Sequence, residues 1–166
     1  LINLVFLSAF ILDAYAFSTE GIVGYSLGKK DITLFKKIVQ NSFILSSITG
    51  LIISIIYFLI NNFVINLMSN IEEIRNLSSS YAVWLIIMPL ISSFCFQFDG
   101  IFIGVSQTKE LRNAMIFSVF CYLVISIFLT GLMGNTGVWI SLCIFMILRA
   151  LSLYYYMDRI YLKFNK

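Results

Sequence analysis

Long uncharged stretches separated by short polar ones set the pattern along this chain of 166 residues. Residues 38–71 contain no Asp, Glu, Lys or Arg, and neither do residues 113–148. A helix that spans a bilayer needs about 20 apolar residues, so the first stretch holds one long helix. The second stretch is too long for one helix. The segment GLMGNTG at 131–137 divides it, because glycine and asparagine favour a tight hairpin.

The whole pattern predicts an all-α integral membrane protein with five transmembrane helices. Their expected bounds are about 1–28, 38–68, 77–106, 112–131 and 136–158. Gly28, followed by Lys29 and Lys30, is typical of a helix end, with glycine in a left-handed cap and cations near the negative end of the dipole. Pro89 falls inside the third helix, where we expect a kink rather than an end.

Composition agrees with this pattern. The chain is 60% hydrophobic and only 11% charged, whereas about 25% of the residues of a soluble domain are charged. We find no soluble domain and no pattern that predicts binding to nucleic acid. The net charge of +3 is explained by membrane topology and by attraction to anionic lipid head groups. The first residue is Leu1, already inside the first helix, so we expect the chain to be part of a longer protein.

Basic side chains lie almost entirely on one side of the predicted membrane. The loops after the first and third helices and the C-terminal tail hold Lys29, Lys30, Lys36, Lys37, Lys109, Arg112, Arg159, Lys163 and Lys166. The opposite side holds only Arg75. Because cytoplasmic loops are enriched in Lys and Arg, we predict a multi-pass protein of the plasma or inner membrane with a cytoplasmic C-terminus.

The segment GYSLG at 24–28 matches the G-x-S-x-G pattern of serine hydrolases, but an enzyme is not expected. That pattern needs a strand before the serine and a histidine as base, whereas Ser26 follows a helix and the chain has no histidine.

Cys95, Cys121 and Cys143 are scattered through apolar segments without metal-ligand spacing, so we predict core cysteines and no metal site.

Four ionisable residues lie inside the predicted helices: Asp13, Glu20, Asp99 and Arg149. A charge at membrane depth costs about 2.5–3.5 kcal/mol, so we expect such a side chain either to form an ion pair or to be hydrated. Asp13 and Glu20 are seven residues apart and therefore share one helix face. One interpretation is a site at which carboxylates exchange H⁺ or Na⁺. The other is structural, with Arg149 neutralising one carboxylate, and both stay open.

Small residues at a spacing of four predict close helix packing. Gly24 and Gly28 have this spacing in the first helix, and Gly100 and Gly104 have it in the third. Gln40 and Gln97 are expected to donate hydrogen bonds between helices. The three tyrosines at 154–156 are typical of an interfacial belt.

Three segments together resemble the multidrug and toxic compound extrusion (MATE) family, in its branch similar to DNA-damage-inducible protein F. FILDAYAFSTEGIVGYSLGKKD resembles the family's helix-8 signature, and PLISSFCFQFDGIFIGVSQTKELRN resembles helix 10. GNTGVWISLCIFMILRALSLYYY resembles the last hairpin and helix 12. The matching positions are Asp13, Glu20, Val23, Gly24, Leu27, Gly28, Pro89, Asp99, Gly100, Gly104, Thr108, Arg112, Asn113, Gly137, Trp139 and Arg149. Ala14 departs from the usual glycine, and Ser18 and Thr19 from the usual alanines.

This resemblance implies that residues 1–166 are a partial C-terminal lobe, helices 8–12 of a two-lobe transporter with twelve helices. Family members export small organic, often cationic compounds in exchange for H⁺ or Na⁺, with no other cofactor. In this branch the acidic residue usually tied to coupling lies in the N-terminal lobe. Asp13, Glu20 and Asp99 therefore correspond only to signature positions.

The chain needs a bilayer and an N-terminal lobe, which belongs either to the same chain upstream or to a partner chain, so we expect no transport by these residues alone. Two other functions remain open. One is a lipid-linked sugar flippase of the same superfamily, which would need more cationic cavity residues than Arg149. The other is a truncated membrane protein that does not transport.

Overall fold

The computed structural model describes residues 1–164, so Lys166, which was counted with the cytoplasmic charges, lies outside the described residues. These residues form six helices and no strand: α1 (Ile2–Gly28), α2 (Ile32–Met68), α3 (Glu72–Ser80), α4 (Ala82–Gly104), α5 (Thr108–Met133) and α6 (Asn135–Phe164). All but α3 are long and apolar enough to cross a membrane. The predicted fold class, all-α with five membrane-spanning helices, is confirmed.

Helix α2 begins six residues before its predicted start at residue 38. Asp31 caps it, since the Asp31 carboxylate accepts a hydrogen bond of 2.9 Å from the Leu34 N–H. Lys36 and Lys37 therefore lie on the first turns of α2 and not in a loop. At 37 residues α2 is about 55 Å long, which exceeds the ~30 Å of a bilayer core, so its ends extend beyond the hydrocarbon.

The predicted third helix is divided at Tyr81, which leaves the helical backbone conformation at φ −100° and ψ 1°. The short helix α3 precedes this break, and it has no buried residue. Glu72 and Glu73 stabilise its first turn electrostatically. Helix α4 then begins at Ala82 and continues through Pro89, so the expectation that Pro89 does not end the helix is confirmed.

The hairpin between α5 and α6 is much shorter than the predicted segment 131–137. Only Gly134 separates the two helices, with φ at +60°, a conformation that favours glycine. A Cβ on Gly137 would collide with the backbone of Leu129, so the two helices meet closely beside the turn. Helix α5 also begins four residues before its predicted start at 112, and α6 extends six residues beyond its predicted end at 158.

Two helices end with a non-glycine residue in the left-handed conformation. Gly28 remains in the last turn of α1, and Lys30 takes the positive φ of 53°, so the predicted glycine cap is wrong. Helix α4 ends in the same way at Ser106, whose φ is 55°. In both cases the next residue donates its N–H five residues back, which closes a Schellman motif.

Helix α4 is the centre of the fold and contacts every other helix. Helices α1, α2 and α6 surround it, whereas α5 packs mainly on α6 and buries only Ala114 and Ser118. Gly50 of α2 lies against Pro89, where a Cβ would come within 2.9 Å of the Pro89 carbonyl oxygen. The neighbouring Ser54 hydroxyl donates to the Ile86 carbonyl at 2.6 Å, in the turn that the proline ring disturbs.

Candidate functional site

Three glycines allow α1 and α4 to approach until their backbones touch. A Cβ on Gly100 would collide with the backbone of Ala16, and one on Gly104 would lie 2.5 Å from the Glu20 carbonyl oxygen. From the other side, a Cβ on Gly24 would lie 3.2 Å from the Gly104 carbonyl oxygen. This close contact fixes the rotation of α1 against α4, and with it the direction of the carboxylates that both helices carry.

Gly28 does not belong to this contact, because a Cβ there would meet nothing within 4 Å. Gly104, the last residue of α4, faces Glu20 and Gly24, which lie two turns and one turn before Gly28. The predicted packing role of Gly28 is wrong for this reason.

Asp99, next to Gly100 on α4, forms an ion pair with Arg149 of α6. The Arg149 Nη2 to Asp99 Oδ2 distance is 2.6 Å, and both side chains are largely buried, at 15% and 11% exposure. Asp99 Oδ1 and Arg149 Nε are also buried, and neither has a hydrogen-bond partner among the described residues. The pair is thus close in contact but incompletely hydrogen-bonded.

Asp13 of α1 is half-buried and lies one turn before Ala16, whose backbone meets Gly100, so its carboxylate is within electrostatic range of Asp99. Within residues 1–164 it has no hydrogen bond and no ion pair. Asp13, Asp99 and Arg149 therefore form one cluster from three helices, which we call the carboxylate cluster. With both carboxylates ionised its net charge is −1, so the binding of one H⁺ or Na⁺ neutralises it.

Glu20 lies two turns from Asp13 on α1 and is also half-buried. Its backbone contacts Gly104, and its carboxylate has no ion-pair partner in the described part of the chain. The structure therefore brings Asp13 and Asp99 together but leaves Glu20 apart from the Asp99–Arg149 pair.

Gln97 and Gln40 differ in burial and in hydrogen bonding. Gln97 is fully buried and joins α4 to α1, because the Thr19 hydroxyl donates to Gln97 Oε1 at 2.9 Å. The hydrogen bond between helices is present, but Gln97 accepts it, and its Nε2 has no partner among the described residues, so the expected donor role is wrong. Gln40 is exposed on α2 and forms no hydrogen bond with the described residues, so the same prediction is wrong for Gln40.

Ser26 is buried inside α1, and its hydroxyl donates to the Val23 carbonyl at 2.7 Å. A hydroxyl held in this way inside a helix is not presented to a substrate, in contrast to the exposed serine of a hydrolase turn. Cys95 and Cys143 are buried and Cys121 is half-buried, all three as free thiols.

Sequence reasoning missed the contacts of the last turns of α6. The Lys163 Nζ donates to the Val105 carbonyl at 2.7 Å, and Arg159 forms an ion pair of 3.2 Å with Glu110. These bonds attach the end of α6 to the α4–α5 connection. The apolar spacing 153, 157, 160, 164 continues the helical pattern past residue 158 and was the available signal.

Comparison with known proteins agrees with this architecture. The MatE family model matches residues 1–132. The DNA damage-inducible protein F of Escherichia coli (strain K12) is 30% identical over 153 residues, which are 92% of this chain and 33% of that protein. The chain thus spans about a third of the length of this curated relative. No solved structure matches the chain significantly. With most of its length matched, the chain belongs to the MatE family of multi-helix membrane transporters, whose members are not enzymes.

Proposed function

We propose that this chain is part of a secondary-active exporter, in which H⁺ or Na⁺ moves in exchange for small organic, often cationic compounds. Family membership supports transport, and one observation supports ion exchange within this part of the protein. Asp13 is a carboxylate without a partner in the described chain, and the contact of Ala16 with Gly100 holds it within electrostatic range of the Asp99–Arg149 pair. Arg149 compensates one of the two negative charges, so Asp13 is the group left to take the ion.

The physical basis is a difference in affinity between two conformations. An ionised Asp13 in a closed, apolar environment is unfavourable by a few kcal/mol, and H⁺ or Na⁺ removes that penalty. An ion that binds one conformation more tightly shifts the equilibrium toward it. Movement of α1 against α4 and α6 would change the access of Asp13 to water, and it would thereby couple ion binding to the orientation of the cavity.

The remaining wall of such a cavity belongs, in this proposal, to an N-terminal lobe, so residues 1–166 do not transport alone. We place the protein in the plasma or inner membrane with its C-terminus in the cytoplasm. The basic residues support this orientation, because Lys29 after the end of α1, Lys37 near the start of α2 and Lys163 in the last turn of α6 lie on the same side of the bundle.

A lipid-linked sugar flippase is less well supported. It would need cationic side chains free to bind a pyrophosphate within the membrane. Arg149 is the basic residue at the carboxylate cluster, and its guanidinium already contacts Asp99.

The test is ion-driven efflux of a cationic dye by the full-length protein in cells that lack other exporters. We expect Asp13→Asn to reduce efflux at least tenfold at an unchanged amount of protein in the membrane. Asp158→Asn is the matched control, because Asp158 is exposed near the end of α6 and lies outside the cluster. Full efflux by Asp13→Asn would reject the role of Asp13, and no efflux of any organic compound by the wild type would reject the exporter.

A further inference from the structure

One face of α1 combines phenylalanine and carboxylate side chains. Phe6, Phe10, Asp13, Phe17 and Glu20 follow one another at spacings of four, three, four and three residues, so they lie within about 80° of one another around the helix. We call this set the aromatic–acidic stripe. It extends about 21 Å along α1, which is most of the ~30 Å depth of a bilayer core.

The aromatic–acidic stripe is not covered by the other described helices. Phe6, Phe10 and Phe17 are 56%, 73% and 67% exposed, and none of their rings contacts another aromatic ring within residues 1–164. The stripe points away from α2, because Tyr15, whose hydroxyl accepts a hydrogen bond from Thr49 of α2, lies about 160° around the helix from Phe17. The two carboxylates of the stripe are half-buried and form no ion pair with the described residues.

Lipid does not account for this face of α1. Helices α2 and α5 also have long exposed faces, but residues 38–71 and 113–148 contain no Asp, Glu, Lys or Arg, as expected for helices that face acyl chains. On α1 the exposed rings share their face with two carboxylates, and each charge would cost about 2.5–3.5 kcal/mol in lipid. The stripe therefore borders a space that admits water. Exposed phenylalanine rings in such a space favour an occupant that is partly apolar.

The charges of the stripe indicate the kind of occupant. Arg149 pairs with Asp99, so it does not compensate the carboxylates of α1. Glu20 follows Phe17 by three residues, so the two side chains are neighbours on the helix surface. A carboxylate beside an aromatic ring attracts an organic cation in two ways, through the ion pair and through the cation–π interaction. The apolar groups of such a cation can cover the exposed rings.

We propose that the aromatic–acidic stripe is the wall at which this exporter binds an organic cation with aromatic or other apolar groups. Glu20 pairs with the positive charge, and Phe10 and Phe17 contact the apolar groups. Asp13 remains the group that takes H⁺ or Na⁺, because it lies within electrostatic range of Asp99. The proposal rests on the exporter function proposed above, and it adds which residues of this chain recognise the compound.

Calorimetric titration of the purified full-length protein in detergent tests this site. The two probes are tetraphenylphosphonium and tetraphenylborate, which have nearly the same size and shape and opposite charges, and titrations of protein-free micelles are subtracted. Phe17→Leu keeps an apolar side chain but removes the ring, and Glu20→Gln removes the charge. Phe128→Leu and Glu73→Gln are the matched controls. Phe128 of α5 is 67% exposed, as Phe17 is, and Glu73 is exposed on α3.

We expect saturable binding of tetraphenylphosphonium and none of tetraphenylborate. Phe17→Leu should weaken tetraphenylphosphonium binding about fivefold, the effect of one cation–π interaction, and Glu20→Gln should weaken it about tenfold. The two controls should bind like the wild type. No saturable binding of tetraphenylphosphonium, equal binding of the two probes, no effect of the stripe variants, or equal losses in the controls would each overturn the proposal.

The titration needs no ion gradient, so it separates this site from the exporter function. A wild type that binds tetraphenylphosphonium as expected but exports no organic compound would reject the exporter and retain the binding site. A protein that exports dye, but whose affinity for tetraphenylphosphonium is unchanged in Phe17→Leu and Glu20→Gln, would reject the site alone.

Discussion

At the scale of single residues, the Asp99–Arg149 pair sets the electrostatics of the bundle interior. A largely buried carboxylate and guanidinium at 2.6 Å stabilise each other, and each is strongly unfavourable without its partner. Because Arg149 pairs with Asp99, Asp13 has no cationic partner among the described residues.

Arg149→Gln should destabilise the protein by about 3–5 kcal/mol, because it leaves Asp99 buried without its cation. The double variant Arg149→Gln/Asp99→Asn should recover most of that loss, since no buried charge remains in the pair. Unfolding of the full-length protein in detergent, followed by circular dichroism, measures both. A double variant that is less stable than either single variant would show that the pair is not coupled in this way.

Asp31 caps the N-terminus of α2. The Leu34 N–H and the Thr33 hydroxyl donate to the Asp31 carboxylate and hold its pKa below the ordinary value of 3.8. The stabilisation by this cap is therefore fully present above pH 3.8 and is lost as the pH falls through the lowered pKa. Hydrogen exchange at the Leu34 amide, corrected for its intrinsic pH dependence, should lose protection only in acid. Asp31→Asn keeps a capping side chain that does not titrate, so equal acid sensitivity in this variant would contradict the account.

At the scale of helices, the contact between α1 and α4 depends on Gly100 and Gly104, whereas Gly28 takes no part in it. Gly100→Ala and Gly104→Ala should each destabilise the fold by about 1–3 kcal/mol, because the new methyl group meets backbone that cannot rotate away. Gly28→Ala is the matched control and should be neutral or slightly stabilising, since alanine is the better helix former and space is open there. Thermal unfolding of the three variants in one detergent provides the comparison. A loss of stability in Gly28→Ala equal to that of the other two would refute this distinction.

The existence of the five long helices follows from the apolar stretches, because only helices satisfy their backbone within a single segment of membrane. Their ends depend on individual residues, which the hydrophobic pattern does not contain. Asp31 starts α2 early, Tyr81 divides a continuous stretch, and Gly134 turns the chain in one residue. The pattern also placed Gly28 on a packing face, but it could not show that the last residue of α4 faces Glu20 and Gly24 instead.

The candidate site was predictable in part. The cost of charge in a membrane selects Asp13, Glu20, Asp99 and Arg149 from the sequence. The sequence does not predict which carboxylate pairs with Arg149, because the pairing depends on the rotation of three helices against one another. The structure resolves this through the glycine contact, which brings α1 close to Asp99 and leaves Glu20 apart from the ion pair.

At the scale of the whole molecule, successive connections between the membrane-spanning helices should lie on opposite sides of the membrane. Single cysteines can report this in a background that lacks Cys95, Cys121 and Cys143. We expect an impermeant maleimide to label Thr108→Cys only from the cytoplasm, and Asn70→Cys and Asn135→Cys only from outside. All three positions are exposed in the structure. Labelling of Thr108→Cys from the same side as Asn135→Cys would contradict the five-helix topology.

In our proposal, the carboxylate cluster exchanges an ion for an organic compound. The most direct measurement is the release of H⁺ or Na⁺ from the purified full-length protein when a cationic dye is added, followed with a pH indicator and with radioactive sodium. We predict that the wild type and the exposed-carboxylate variant Asp158→Asn release one of these ions, and that Asp13→Asn, with normal folding and dye present, releases neither. Undiminished ion release by Asp13→Asn would show that coupling resides elsewhere in the protein and would contradict the claim.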